Sequence, residues 1–86
     1  MTSSRIDRIR SLLQMELQPT QLEIIDESAK HIGHVGAAGG AGHFQVHIKS
    51  EQFLGKSTIA CHRLVYQALD SMMIKDIHAL SILIQQ

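Results

Sequence analysis

The segment that most constrains this chain is Gly55–Leu69, GKSTIACHRLVYQAL. Ser57 is a good helix N-cap, because its hydroxyl can accept a hydrogen bond from a free amide of the first turn. Cys61, Leu64, Val65, Ala68 and Met72 then recur at i, i+3, i+4, i+7 and i+11. That spacing gives one buried stripe to a helix predicted over 57–72. His62, Arg63 and Tyr66 fall beside or outside the stripe. Two strand patterns flank this helix. In His43–Ser50, Phe44, Val46 and Ile48 alternate with His43, Gln45, His47 and Lys49, so one face is expected to be buried and the other solvent-facing. Ile77–Ile84 contains the near-continuous apolar run LSILI, expected of an inner strand or one covered on both sides.

The start of this helix resembles the end of a phosphate-binding loop, since Gly55-Lys56-Ser57-Thr58 follows a strand. A loop of the form GxxxxGK[ST] needs its first glycine at position 50, where Ser50 stands. Nucleotide binding is rejected on that ground and on the shortness of the chain. A turn leading into a capped helix is the simpler reading.

The rest of the chain supplies one more helix and one more strand. Ser4 can cap a helix reaching Leu17, with Asp7 near its positive end. Ile6, Ile9, Leu13 and Leu17 share a face, Arg5, Arg8 and Arg10 point more to solvent, and Pro19 ends the element. Leu22–Asp26 is a short strand. Residues 27–42, ESAKHIGHVGAAGGAG, are too glycine-rich for a stable helix and read as a long loop. The order α-β-β-α-β follows. Helices on one face of a three-stranded mixed sheet would bury both helical stripes.

Eighty-six residues make a single domain with a thin core. Lys plus Arg equals Asp plus Glu, 8 each, so the overall basic excess of a protein that holds DNA through its phosphates is missing. One cysteine allows no internal disulfide. Neither a signal-like apolar run nor a membrane-length one is present, so a soluble cytoplasmic protein is expected.

Six histidines need an explanation. His43 and His47 lie about 13 Å apart along a strand, too far to share one metal ion. Cys61 and His62 are helix neighbours that do not face each other, so they form no nucleophile–base pair. Cys61 reads as a small core residue. His31 and His34 sit three apart in the loop and supply at most two ligands. His78 opens the last strand, and its residue type alone leaves it an ordinary edge residue or a ligand.

Taken together, DESAKH at Asp26–His31, HFQV at His43–Val46, FLGKS at Phe53–Ser57, HRLVYQAL at His62–Leu69 and IHALSI at Ile77–Ile82 resemble the BolA family. The resemblance covers nearly the whole chain. It implies a small α/β sandwich similar to class II KH domains, although the GxxG clamp of RNA-binding KH domains is missing. It implies binding rather than catalysis. BolA-like proteins pair with monothiol glutaredoxins and share a glutathione-dependent [2Fe-2S] cluster. The BolA side gives a histidine at the start of the last strand, matching His78, and a His or Cys from the loop, matching His31 with His34 as rival. Imidazole ligation is chemically reasonable, because it lowers cluster charge and raises the potential. Some family members regulate transcription on DNA, which here would use Lys56, His62, Arg63 and Lys75. Cys61 stands where the family often has Arg or Lys, which weakens that patch. Alone, the chain is expected as a monomer or weak homodimer.

Overall fold

The computed structural model describes residues 4–27, 42–73 and 76–85, with residue 78 described by its backbone. Helix α1 spans Arg5–Leu17 and strand β1 spans Gln21–Asp26. Strand β2 is Gly42–Lys49, followed by a 3₁₀ turn at Glu51–Phe53. Helices α2 (Thr58–Ala68) and α3 (Asp70–Met73) lead to strand β3 (Ile77–Ile84).

Local chemistry sets the helix ends as the sequence predicts. Ser4 Oγ accepts from the Asp7 N–H at 3.1 Å, and Ser57 Oγ accepts from the Ala60 N–H at 3.1 Å. Each satisfies a first-turn amide that has no intrahelical partner. At the other end of α1, Gln18 adopts a left-handed conformation at φ 48°, and Pro19 prevents continuation. Gly55 has φ +75°, a region where side chains are strained. That turn aims the chain into α2 and accounts for the glycine of the GKS motif without a phosphate.

The sheet order is β1-β2-β3. β1 and β2 run antiparallel, with Leu22 opposite Ile48 and Ile24 opposite Val46. β2 and β3 run parallel, with Phe44 opposite Leu80, Val46 opposite Ile82 and Ile48 opposite Ile84. A parallel pair needs a crossover, and α2 and α3 supply it. Leu22 and Ile24 of β1, Phe44, Val46 and Ile48 of β2, and Leu80, Ile82 and Ile84 of β3 pack with Ile9, Leu13 and Leu17 of α1 and with Cys61, Val65, Leu69 and Met72. Both helical stripes therefore cover one face of a three-stranded mixed sheet. Ser50 joins the layers: its buried hydroxyl donates to the Leu17 carbonyl at 2.7 Å and accepts from the Gln52 N–H at 3.1 Å.

Three expectations are corrected. The central helix is not continuous over 57–72. It breaks at Leu69, whose backbone (φ −101°, ψ 11°) leaves the helical region. Leu69 at the break and Met72 beyond it are both buried in the core. β3 is not an inner strand: β2 is central, and β3 is an edge among the described residues. Its apolar run reflects an outward row of Ala79, Ser81 and Leu83, where edge strands commonly carry charge. His43 is not solvent-facing but 9% exposed, at the end of the central strand where its carbonyl accepts from the Glu27 N–H and it pairs with Ala79 of β3.

Candidate functional site at the start of the last strand

The start of β3 is held from several directions. Asp76, just before the strand, donates its backbone N–H to the Met72 carbonyl at 2.9 Å. Its own carbonyl accepts from the Gly42 N–H at 2.9 Å. Its carboxylate accepts from Arg8 Nη2 at 2.8 Å, and Arg5 Nε lies 3.6 Å away. Ile77 is buried directly after it. One residue thus ties α1, the end of α3 and the start of β2 to the beginning of β3.

His78 follows at an irregular position. Gly42 pairs with Ile77 and His43 pairs with Ala79, so the register steps across His78. Such a bulge unpairs one residue and re-aims the local backbone, a device common beside functional sites. The same end of the sheet receives both ends of the β1–β2 connection. The Glu27 N–H donates to the His43 carbonyl at 2.8 Å, and β2 begins at Gly42. His31 and His34, on that connection, lie outside the described residues, as does Lys75. Cys61 is fully buried on α2, with its Sγ 3.8 Å from the Phe53 carbonyl oxygen, as the core reading expects. Among the described residues, no three His, Cys, Asp or Glu side chains gather as a metal-binding group.

The Arg8 hydrogen bond, helped by the charges of Arg8 and Arg5, holds the Asp76 carboxyl below the usual carboxylate range, against a smaller upward push from desolvation. A depressed native pKa adds stability above the unfolded-state value, lost as pH falls through the native value. Asp76→Asn is expected to lower the urea midpoint at pH 7 and to flatten its fall on acidification. Equal acid sensitivity of both proteins would show that the pair does not contribute. The ion pair joins residues 68 apart, so no local pattern announced it.

A second cluster lies at the start of α2. Lys56 and Arg63 are exposed, His62 is half-buried, and α2 carries no carboxylate. Sequence reasoning missed the apolar residues beside these cations. Leu54 is 72% exposed and Ile59 is 67% exposed. Ile59, Arg63 and Tyr66 follow i, i+4, i+7, a helical stripe opposite the buried one and the signal that could have exposed it. A cleft lined by Thr20, Lys49, Ser50, Glu51, Phe53, Leu54 and Gln85 lies at the far end of the sheet from His78.

Comparison with known proteins agrees with this architecture. The chain is 44% identical over 84 residues to SufE-like protein 1, chloroplastic/mitochondrial, of Arabidopsis thaliana, covering 92% of this chain and 23% of that protein. It is 36% identical over 76 residues to the DNA-binding transcriptional regulator BolA of Escherichia coli, covering 88% and 70%. The chain spans about half, 51% and 52%, of two further curated relatives. The solved BolA domain of SufE1 from Arabidopsis thaliana superposes with a TM-score of 0.83 at 40% identity, covering 99% of this chain and 94% of that one. The profile of the family described as BolA-like protein matches residues 13–85. With the family profile spanning most of the chain and the same sandwich in its relatives, this protein belongs to the BolA family.

Proposed function

We propose that this chain is a cytoplasmic partner of a monothiol glutaredoxin, sharing with it a glutathione-dependent [2Fe-2S] cluster in iron–sulfur trafficking or in iron and redox regulation. It acts by binding, not by catalysis. The observation that carries the proposal is one of placement. His78 sits at a bulge at the start of β3, and both anchors of the His31- and His34-bearing connection lie at the same end of the sheet. Glu27 is two strands from β3, about 10 Å by ordinary strand spacing. The four-residue tether from Glu27 to His31 reaches up to about 14 Å, so His31 can meet His78. Two imidazoles make half a ligand set, and the thiolates come from the glutaredoxin and glutathione. A cluster bound there would supply redox-active iron, and His78, on the strand, would be the residue of this chain that holds it, with His31 or His34 as the second. The test is to mix the protein with a monothiol glutaredoxin, glutathione, iron and sulfide. A heterodimer of native mass with a cluster spectrum distinct from that of glutaredoxin alone supports the proposal. Absence of any mixed complex sinks it.

One observation favours a second reading, DNA binding. Lys56 and Arg63 are exposed at the carboxylate-free start of α2. One relative is named a DNA-binding transcriptional regulator. With no net charge on the chain, the expected binding is weak and strongly salt-dependent. Arg63→Ala is expected to weaken it across all sequences and to reduce the salt slope by about 1. Tight, sequence-selective binding at physiological salt that Arg63→Ala destroys would make DNA the primary partner.

A further inference from the structure

We infer that the outer edge of β3 is an interaction surface for a second copy of this chain, pairing antiparallel to join two three-stranded sheets into one of six strands.

The two sheet edges differ in kind. β1 carries Glu23 and Asp26 within six residues, the charge that discourages strand addition. β3 has no charged residue and no proline in eight, IHALSILI. It has the composition of an inner strand at an edge position. Its cover is also incomplete. Leu80, Ile82 and Ile84 face the core yet remain partly exposed, while Phe44, Val46 and Ile48 beside them on β2 are buried. On the opposite face Leu83 is 51% exposed.

The backbone fixes how a second strand would add. The Gln85 N–H donates to the Ile48 carbonyl at 2.8 Å. Strand amides alternate sides, so Leu83, Ser81 and Ala79 also point their backbone groups toward β2. Leu80, Ile82 and Ile84 point theirs to the edge that is unpaired among the described residues. An antiparallel partner must hydrogen-bond through those even residues, and side chains on each face must match. Placing Ser81 on a two-fold axis meets both conditions. Leu80 then exchanges hydrogen bonds with Ile82 of the second copy. Ser81 faces its own counterpart as a non-hydrogen-bonded pair, and Leu83 is covered by Ala79.

Closure selects a second copy as occupant. Joining β3 to the other edge, β1, would be head-to-tail and would set β1's carboxylates along the new pair. It would also leave free edges at both ends of a growing filament. Joining β3 to β3 is isologous, brings no like charges together and stops at two.

The experiment uses sedimentation over a concentration series. The wild-type chain is expected to shift toward twice 9.6 kDa as concentration rises. Ser81→Lys and Ser81→Glu, changing an exposed residue, are each expected to stay monomeric with unchanged circular dichroism, because like charges then meet on the axis. Mixed in equal amounts, they are expected to regain the dimer. In a Cys61→Ala background, Ser81→Cys is expected to oxidise to a covalent dimer, since facing residues of a non-hydrogen-bonded pair are close enough for a disulfide. A wild-type chain that stays monomeric at about 1 mM overturns the inference, as a pair that weak has no standing in a cell. So do dimers that survive both charged variants, and a mixture that stays monomeric while each variant is folded.

Discussion

His78→Ala is expected to abolish the distinct spectrum of the mixed cluster complex while leaving the fold intact. The expectation rests on how β3 begins. The strand is fixed just before His78 by the hydrogen bonds of Asp76 to Met72, Gly42 and Arg8. A ligand on such a rigid element loses little conformational freedom on binding, whereas ordering a loop residue costs about 1–2 kcal/mol for its backbone. His78 is thus expected to be the indispensable ligand and His31 the secondary one. His31→Ala is expected to weaken or alter the spectrum, with His34 able to substitute, so that the double variant loses more than either single change. Cys61→Ala is expected to leave the spectrum unchanged, because its thiol is fully buried on α2 against the Phe53 carbonyl. Absorption and circular dichroism of the reconstituted complex, with far-ultraviolet dichroism of the variant alone, separate ligand loss from unfolding. A cluster signal that survives His78→Ala but vanishes with Cys61→Ala would assign the site elsewhere.

What the sequence disclosed, and what it withheld, follows the range of the interactions concerned. Ser4 and Ser57 act within three residues, so both caps were readable. The alternation of Phe44, Val46 and Ile48 reports directly which strand face is buried. The strand order is a different matter. An uncharged β3 reads as an inner strand, and only the pairing shows β2 between the other two. His43 misled because alternation assigns a side chain to a face and says nothing of how exposed each position on that face is: His43 is buried, while Gln45 and His47 on the same strand are half-buried. The Leu69 break carries no glycine or proline, so no local signal marks it. At the site, the resemblance singled out His78. One of the contacts that hold the start of its strand, the Arg8–Asp76 pair, spans most of the chain and left no mark in any local pattern.

Phe53→Ala is expected to be severely destabilising. Phe53 is 1% exposed and is the largest of the fully buried side chains. It comes from the 3₁₀ turn rather than from a helix or strand. Its N–H donates to the Ser50 carbonyl at 3.1 Å, and its carbonyl accepts from the Lys56 N–H at 3.1 Å. The ring therefore fixes the turn that carries Gly55 and Ser57 into α2. Removing it loses the transfer free energy of the ring and leaves a cavity, together about 3–5 kcal/mol. A chain of 86 residues has a total stability of roughly 4–13 kcal/mol by the usual per-residue range, so the loss is a large share. Leu54 next to it is 72% exposed, and Leu54→Ala is expected to stay within about 0.5 kcal/mol of wild type. Urea titrations of both variants, followed by far-ultraviolet dichroism, make the comparison. The midpoint should fall sharply for Phe53→Ala with little change in slope, and hardly move for Leu54→Ala. Equal midpoints would mean that the turn is not anchored through Phe53, and that α2 is positioned by its own stripe of Cys61 and Val65 alone.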